Sequence, residues 1–340
     1  MSVWPRFACP ECAAPAAEGA SGDVTCSACG ERFEQRNGLY CFLGARRLAA
    51  TQPFVRQYRC VRQREGYRVS TPDYYRMLPS VPPDDPHAQN WALRRESYGH
   101  LERLLADGRC RVLDLGAGNG WLSHRLASLG HRVVAVDVLD DQEDGLGACR
   151  HYPTSFPCVQ ADFDALPFAP SQFDCVAFNG SLHYAANAAA TLERACRMLV
   201  PGGAIVVMDS PMFHSESDGH AMVAEKLRRF RAEYGLTEIV HPNVGFFTFA
   251  SLVRTFGRLG LRERFIPSRG PFIWRLRREI GRIRLRRAPA AFGVWIALAP
   301  AAAPGPHARP PVASDASSSV TVEPGRTGQR EHAEARSGAH

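Results

Sequence analysis

Short, continuously apolar runs alternate along this chain with longer stretches whose apolar residues return every three to four positions. Val112 to Leu115, Arg132 to Asp137, a short run from Cys158 that delivers Asp162, Phe173 to Asn179 and Ala204 to Asp209 read as buried strands. Leu261 to Ile266 and Ala291 to Leu298 add a sixth and a seventh. Helical spacing marks Trp121 to Leu126, Trp91 to Leu105 and Thr248 to Gly260, the last ending at a glycine as helices tend to. Residues 45–105 as a whole are helical and arginine-rich, with Arg56 to Arg64 as one helix and a proline-dense break at Pro79 to Pro86. Strands interleaved with helices predict an α/β fold around a mostly parallel sheet of seven strands.

The first strong strand leads into the stretch that organises the rest. Val112-Leu113-Asp114-Leu115 runs into Gly116-Ala117-Gly118-Asn119-Gly120, and a helix follows at once. Strand, glycine turn and helix N-terminus make a nucleotide-binding corner, because glycine lets the backbone approach a ligand closely. A dinucleotide fingerprint needs a small residue at position 121, and Trp121 stands there. The next strand ends on Asp137, at about the twenty-residue spacing that suits a carboxylate accepting from a ribose diol. Asp140, Asp141, Glu143 and Asp144 then read as a solvated acidic loop.

Composition narrows the class. The 340 residues allow one sizeable core with extras, or two domains, and 45% are apolar. No run approaches the roughly 20 apolar residues of a membrane span, and the N-terminus shows no signal-peptide core, so the expected compartment is the cytoplasm. The net charge of +7 is carried almost wholly by arginine, with Lys226 as the single lysine, a bias that a GC-rich coding sequence produces. The placement of the arginines is therefore more telling than their number. Residues 271–287 carry seven of them around Ile273, Leu276, Ile280 and Ile283, which share one helical face. Such a helix suits an anionic membrane surface or, less well, RNA; alternatively its apolar face docks on the protein and its arginines stay in water. The last stretch, 301–340, is rich in Pro, Ser, Gly and charge and is expected to be disordered.

Of eleven cysteines, seven sit singly among apolar neighbours and read as small buried hydrophobes. The other four form two C-x-x-C knuckles, Cys9-Pro10-Glu11-Cys12 and Cys26-Ser27-Ala28-Cys29. Together they supply a tetrahedral S4 set suited to a closed, structural Zn2+, and a segment this small needs metal to fold; a redox C-x-x-C is the alternative.

Specific phrases add resemblances. The string D-x-G-x-G-x-G at Asp114–Gly120 resembles motif I of the class I S-adenosylmethionine-dependent methyltransferases. Asp162-Phe163-Asp164-Ala165-Leu166-Pro167-Phe168, then Phe173-Asp174, then Leu199-Val200-Pro201-Gly202-Gly203 resemble successive phrases of the type 11 group, the ubiquinone/menaquinone-biosynthesis type. The resemblance covers about residues 110–210 and implies a Rossmann-like sheet over 106–300. It also implies a cofactor site at Asp114, Gly116, Gly118, Gly120, Asp137, Asp162, Phe163 and Asn179, with Asp162 accepting from the adenine amino group and Phe163 packing on the ring. The segment before motif I, 45–105, would form a lid over the cofactor, with Tyr74-Tyr75 and Trp91 to Tyr98 lining the site or only packing the helices. The excursion Ser210 to Val244, with Met222 to Tyr234 as a basic helix, would shape the acceptor pocket. Within a zinc-ribbon segment expected over 1–44, about residues 7–43 resemble the small zinc-ribbon family of methyltransferase activators, through Cys29-Gly30-Glu31-Arg32-Phe33 and Asn37-Gly38-Leu39-Tyr40-Cys41-Phe42-Leu43. That family's closing "D-G-I-P-x-L" phrase is altered here. The ribbon of the 23S rRNA guanine-N1 methyltransferases is also similar but places His where Cys29 stands.

Methyl transfer is an in-line displacement that asks mainly for alignment and exclusion of water, with a base only for an acidic acceptor. His183, just past the fourth strand, is the candidate base, with Tyr184 and His214 behind it, although His183 also suits a structural role. The "[DN]-P-P-[YF]" phrase of exocyclic-amine methylation reads Asn179-Gly180-Ser181-Leu182 here, which removes the platform for a flipped base. The expected function is methyl transfer to a small-molecule or lipid-like acceptor. Alternatives are an rRNA or tRNA methyltransferase that holds RNA with its ribbon, and a non-catalytic cofactor-binding scaffold.

Overall fold

Six short strands open the chain: β1 (Phe7–Ala8), β2 (Pro15–Glu18), β3 (Val24–Cys26), β4 (Arg32–Phe33), β5 (Gln35–Arg36) and β6 (Leu39–Cys41). In the computed structural model, which describes residues 4–69, 71–240 and 243–301, β1 to β4 form a small antiparallel sheet in that order. The disorder expected over 301–340 falls, from residue 302 on, outside the described residues.

Three helices follow: α1 (Ala45–Arg64), α2 (Pro72–Met77) and α3 (Ala88–Leu104). The glycine corner joins β7 (Arg111–Leu115) to α4 (Trp121–Ser128), and β8 (Arg132–Asp137), β9 (Cys158–Gln160) and β10 (Phe173–Asn179) come next. Then come α5 (Ala188–Met198), β11 (Leu199–Met208), β12 (Met212–Phe213), α6 (Glu216–Tyr234), β13 (Phe247–Thr248), α7 (Phe249–Arg258), β14 (Arg262–Pro267), α8 (Phe272–Leu285) and β15 (Gly293–Leu298).

The main sheet runs β14-β15-β11-β10-β7-β8-β9-β6-β5. Neighbours from β11 across to β6 are parallel, while β15 is antiparallel to both β11 and β14, and β5 is antiparallel to β6. The chain leaves β7 toward β8 on one side and reaches β10 on the other, so a crevice opens at the C-terminal ends of these strands, where ligands bind in such sheets.

Side chains along β7 alternate between two cores, as a strand covered on both faces requires. Leu113 and Leu115 join Leu192 of α5 and Phe256 of α7, whereas Val112 joins Leu101 of α3 and Leu122 and Leu126 of α4. The Thr248 hydroxyl accepts from Ser251 N and the Ser251 hydroxyl accepts from Thr248 N, a reciprocal cap that starts α7 at the expected threonine.

The expectation of seven strands needs correction: the sheet has nine. The seven expected strands are all present, and β6 adds to the edge strand β9 in parallel, Leu39 opposite Cys158 and Cys41 opposite Gln160, with β5 outside it. An open edge strand invites pairing, and the N-terminal segment covers it from within the chain. Phe7, Phe33 and Phe42 belong to the same core as Leu113 and Val136, with ring centroids 4.7 Å apart for Phe33 and Phe42. The N-terminal segment is thus built into the main sheet and core.

Candidate active site

A cavity of about 650 Å³ sits at the C-terminal edge of the sheet, floored by the glycine corner and walled by Asp137, Asp162, Phe163, Asn179 and Tyr184. Helix α1, the Trp91–Arg94 turn of α3 and residues 238–240 close it from above.

The three glycines have different reasons to be glycine. Gly116 (φ 76°) lies against Ser181, whose Cβ would be 2.3 Å from an added Cβ, and Ser181 is itself fixed by donating to Leu115 O at 2.5 Å. Gly120 (φ 77°) meets Cys149 Sγ at 2.4 Å in the same way. Gly118 (φ 56°) has nothing nearer than Asp144 O at 3.9 Å, so its open face is offered to the cavity. Two glycines serve packing, and the central one leaves room for a ligand.

Asp137 braces this corner. Its Oδ2 accepts from Gly118 N and its Oδ1 from Leu139 N, each at 2.8 Å. Burial pushes its carboxyl up to about 6 in spite of those bonds. Asp162 also faces the cavity, with Oδ1 accepting from Asp164 N at 3.1 Å, and Phe163 packs edge-on against Phe178 with centroids 5.8 Å apart. Asn179 reaches the cavity at the end of β10. Asp114 lies elsewhere: it is fully buried and off the cavity wall, and its Oδ2 accepts from Ser123 Oγ at 2.7 Å, tying β7 to α4. Burial, and then the Asp137 charge, raise it to about 7, against the pull of the Ser123 bond.

The loop after β8 departs from expectation. Asp141 and Asp144 are buried, and three arginines from α1 and the segment after it pair with the loop. Arg62 forks onto Asp144 at 2.5 and 2.8 Å, Arg59 Nε lies 2.8 Å from Asp141, and Arg68 spans Asp141 and Glu143 at 2.9 Å each. Asp141 also accepts from Glu143 N and Asp144 N, and with its arginines this holds its carboxyl down to about 2 despite burial. This loop is a clamp that holds α1 over the cavity.

Helix α1 presents Phe54 and Tyr58, whose rings lie 5.5 and 5.9 Å from that of Tyr184. From α3, Trp91 and Arg94 reach the wall, whereas Tyr74 accepts from Trp91 Nε1, Tyr75 stacks on His151 and Tyr98 packs on Trp121. Arg94 lies inside the Trp91 to Tyr98 stretch expected near the site, where only the aromatics were singled out. Its guanidinium lies 4.7 Å over the Trp91 ring, and among the described residues it has no carboxylate at ion-pair distance. The available signal was its position one helical turn beyond Trp91. His183 is buried, with Nδ1 3.2 Å from Ser210 Oγ and its ring 4.3 Å from that of Tyr184; the cavity wall at this point is Tyr184. His214 stacks on Phe249. From the 210–244 excursion, Glu238 to Val240 reach the cavity rather than α6 itself.

The four knuckle cysteines come together: Sγ of Cys9 and Cys29 are 3.8 Å apart, Cys12 and Cys26 3.5 Å, Cys12 and Cys29 3.7 Å. A tetrahedron with Zn–S bonds of about 2.3 Å has edges of about 3.8 Å, so the set has the size of a Zn2+ site. Cys29 N and Ala28 N donate to Cys26 Sγ and lower its thiol to about 6, while, against the Glu31 backbone bond, the neighbouring Cys26 thiol and burial push Cys29 up and burial pushes Cys9 up. The remaining cysteines divide: Cys41, Cys158 and Cys175 are buried, and Cys60, Cys110, Cys149 and Cys196 are half-buried.

Residues 113–207 match a family described as a methyltransferase domain. The chain is similar to the malonyl-(acyl-carrier protein) O-methyltransferase of Enterobacter lignolyticus, with 34% identity over 35% of this chain and 47% of that protein. It is also similar to the ubiquinone biosynthesis O-methyltransferase of Xylella fastidiosa, with 27% identity over 42% of this chain and 60% of that one. The chain thus spans about half the length of the curated relatives it matches. Among solved structures, an S-adenosylmethionine-dependent methyltransferase of Mesorhizobium loti aligns with TM-score 0.43 and 18% identity, covering 59% of this chain and 97% of that one. No helix among the described residues is long and apolar enough to cross a membrane.

Proposed function

We propose that this chain transfers a methyl group from S-adenosylmethionine to a small-molecule or lipid-like acceptor, and that its four-cysteine cluster holds a structural Zn2+. The observation that carries the reading is the open face of Gly118 beside two carboxylates, Asp137 and Asp162, on the wall of one cavity. That donor set fits the cofactor. Asp137 has lone pairs left for a ribose diol, Asp162 and Phe163 suit an adenine edge and face, and Arg94 offers an unpaired cation to a carboxylate.

When bound, the cofactor supplies a methyl group made electrophilic by its sulfonium. The chain contributes alignment and dryness: the glycine corner sets the depth of approach, while α1, held by the Arg62–Asp144 fork, and residues 238–240 keep water out. Phe54, Tyr58 and Tyr184 leave an aromatic wall for the acceptor, and a cavity of this volume under a helix favours a compact acceptor over a folded macromolecule. Both relatives described above are named for transfer to oxygen, so oxygen acceptors are the first class to screen. For an acidic acceptor the candidate base is His183, which touches Tyr184 of the wall. A His183→Asn variant that lost the acidic limb of a pH–rate profile with unchanged cofactor affinity would support that role; an unaltered profile would remove it.

Calorimetry with S-adenosylhomocysteine tests the central assignment. Wild-type protein should bind and Asp137→Ala should weaken binding; wild-type protein that binds nothing refutes the reading.

A further inference from the structure

Helix α8 turns its apolar face away from the protein. At 100° per residue, Phe272, Ile273, Leu276, Ile280 and Ile283 fall within an arc of about 100°, and all five are 49–79% exposed, with no residue of the helix buried. The contacts with the body come from the opposite side. Trp274 packs on Phe292, and Arg278 lies 4.1 Å over the Trp274 ring and donates to Ala290 O. Beyond the helix, Arg287 pairs with Glu225 of α6. Of the alternatives for 271–287, docking of the apolar face on the protein is therefore the one this arrangement removes.

Arginines border the exposed stripe. Arg277 and Arg284 flank it on one side and Arg275 and Arg282 on the other, with Arg286 past the end. Of these, Arg275, Arg277, Arg284 and Arg286 have no carboxylate at ion-pair distance among the described residues, and Arg282 meets only the exposed Glu279 at 3.6 Å.

We propose that α8 is a membrane-docking helix that lies in the interface of a bilayer rich in anionic phospholipid. Its five aliphatic and aromatic side chains would enter the acyl boundary while its arginines snorkel to the headgroups. Charge complementarity selects this occupant. A second copy would bring arginine against arginine. Residues 302–340 offer four acids matched by four arginines and no Leu, Ile, Phe, Trp, Tyr or Met, so they complement neither the stripe nor its rim. RNA would use the arginines but gain little from five exposed apolar side chains.

The dock adjoins the cavity. Strand β14 runs parallel to β11, since β15 is antiparallel to both, so α8 leaves β14 at the sheet edge that carries the glycine corner. Its root is tied to α3, where Glu96 accepts from Arg269 N and Gly270 N at 3.0 and 2.8 Å, two residues along from Arg94 of the wall.

Flotation of the full chain with vesicles of phosphatidylcholine containing phosphatidylglycerol, against vesicles of phosphatidylcholine alone, tests the proposal. Binding should require the anionic lipid, fall with salt, and drop about five-fold for each of Arg277→Gln and Arg284→Gln, the equivalent of about 1 kcal/mol per arginine near a charged surface. Ile280→Ser/Ile283→Ser should abolish it; both positions are exposed, and an unchanged melting temperature would show that the fold survives. In an Ile283→Trp variant, brominated lipid should quench the added fluorescence. Equal binding to both vesicle types, or no binding to either, overturns the proposal. So does a concentration-dependent dimer that Ile283→Ser dissociates, or tight RNA binding indifferent to the apolar substitutions.

Discussion

Arg62 forks both carboxylate oxygens of Asp144 across 82 residues of chain, and both side chains are largely out of water. Removing one partner of such a pair strands the other charge, at a cost of about 3–5 kcal/mol. Arg62→Ala should therefore lower the melting temperature by roughly 6–20 °C, at about 2–4 °C per kcal/mol for a large domain, and should weaken S-adenosylhomocysteine binding because α1 forms the roof. Adding Asp144→Asn to that variant should restore part of the loss. If Arg62→Ala alone melts within 2 °C of wild type in thermal unfolding, the clamp is not structural.

Three acids, Asp114 and Asp209 buried and Asp137 half-buried, predict a pH dependence of a definite sign. Asp114, Asp137 and Asp209 are raised from 3.8 to about 7, 6 and 6, in each case chiefly by burial. Between the unfolded and folded values the native state holds more protons than the unfolded one. Their contribution to stability is thus fully present below about pH 4 and is lost as pH rises to about 7. Asp141, held at about 2, acts in a separate window below pH 4, where its contribution disappears as pH falls. Denaturant melts from pH 5 to 7.5 should show declining stability, and Asp114→Asn should flatten the slope. Cofactor affinity should move the other way. Ribose hydroxyls donate best to an ionised Asp137, so S-adenosylhomocysteine should bind more tightly as pH rises through about 6. Asp137→Asn should lose about 10- to 150-fold at pH 8, the worth of about 1.5–3 kcal/mol for a charged hydrogen bond, and with it the pH step.

The metal prediction follows from the nine-stranded sheet. If Zn2+ organises the four cysteines, metal analysis should find about one ion per chain, lost in Cys12→Ser, an exposed position where the substitution disturbs no packing. Chelation should raise amide exchange at Leu39 to Cys41 and also at their partners Cys158 to Gln160, because β6 pairs with β9. It should lower the melting temperature of the whole chain, since Phe7, Phe33 and Phe42 share the main core. A change confined to residues 9–29 would contradict this account.

Local pattern carried most of the fold. Most of the expected strands are runs of apolar residues buried on both faces, with the edge strand β14 partly exposed, and the glycine corner has its own spacing, so neither depended on knowing distant partners. The clamp and the added strands did depend on them. Arg59, Arg62 and Arg68 look like a solvated helix face, and Asp141 and Asp144 like a solvated loop, until folding brings the two charge runs together. Leu39 to Cys41 is too short to announce a strand, and its place is set by the open edge at β9. Asp114 shares its spacing with acids that meet a ligand, yet its side chain accepts from Ser123 of α4, a partner that only the folded chain brings to it.

The two packing modes in the glycine corner separate stability from binding. In Gly116→Ala the new methyl would meet Ser181 Cβ at 2.3 Å in a left-handed backbone, and Ser181 cannot withdraw without breaking its bond to Leu115 O. That variant should be strongly destabilised, and Ser181→Gly should recover part of the loss by removing the obstructing side chain. In Gly118→Ala nothing obstructs the methyl, so the free protein should lose only the left-handed penalty of about 1–2 kcal/mol. The same methyl would occupy the face offered to the ligand, so S-adenosylhomocysteine affinity should fall at least about ten-fold, a change of 1.4 kcal/mol or more. Thermal melts and calorimetry on the two variants read the contrast directly. Equal damage to folding in both, or undiminished affinity in Gly118→Ala, would mean that the open face of Gly118 is not where the cofactor lies.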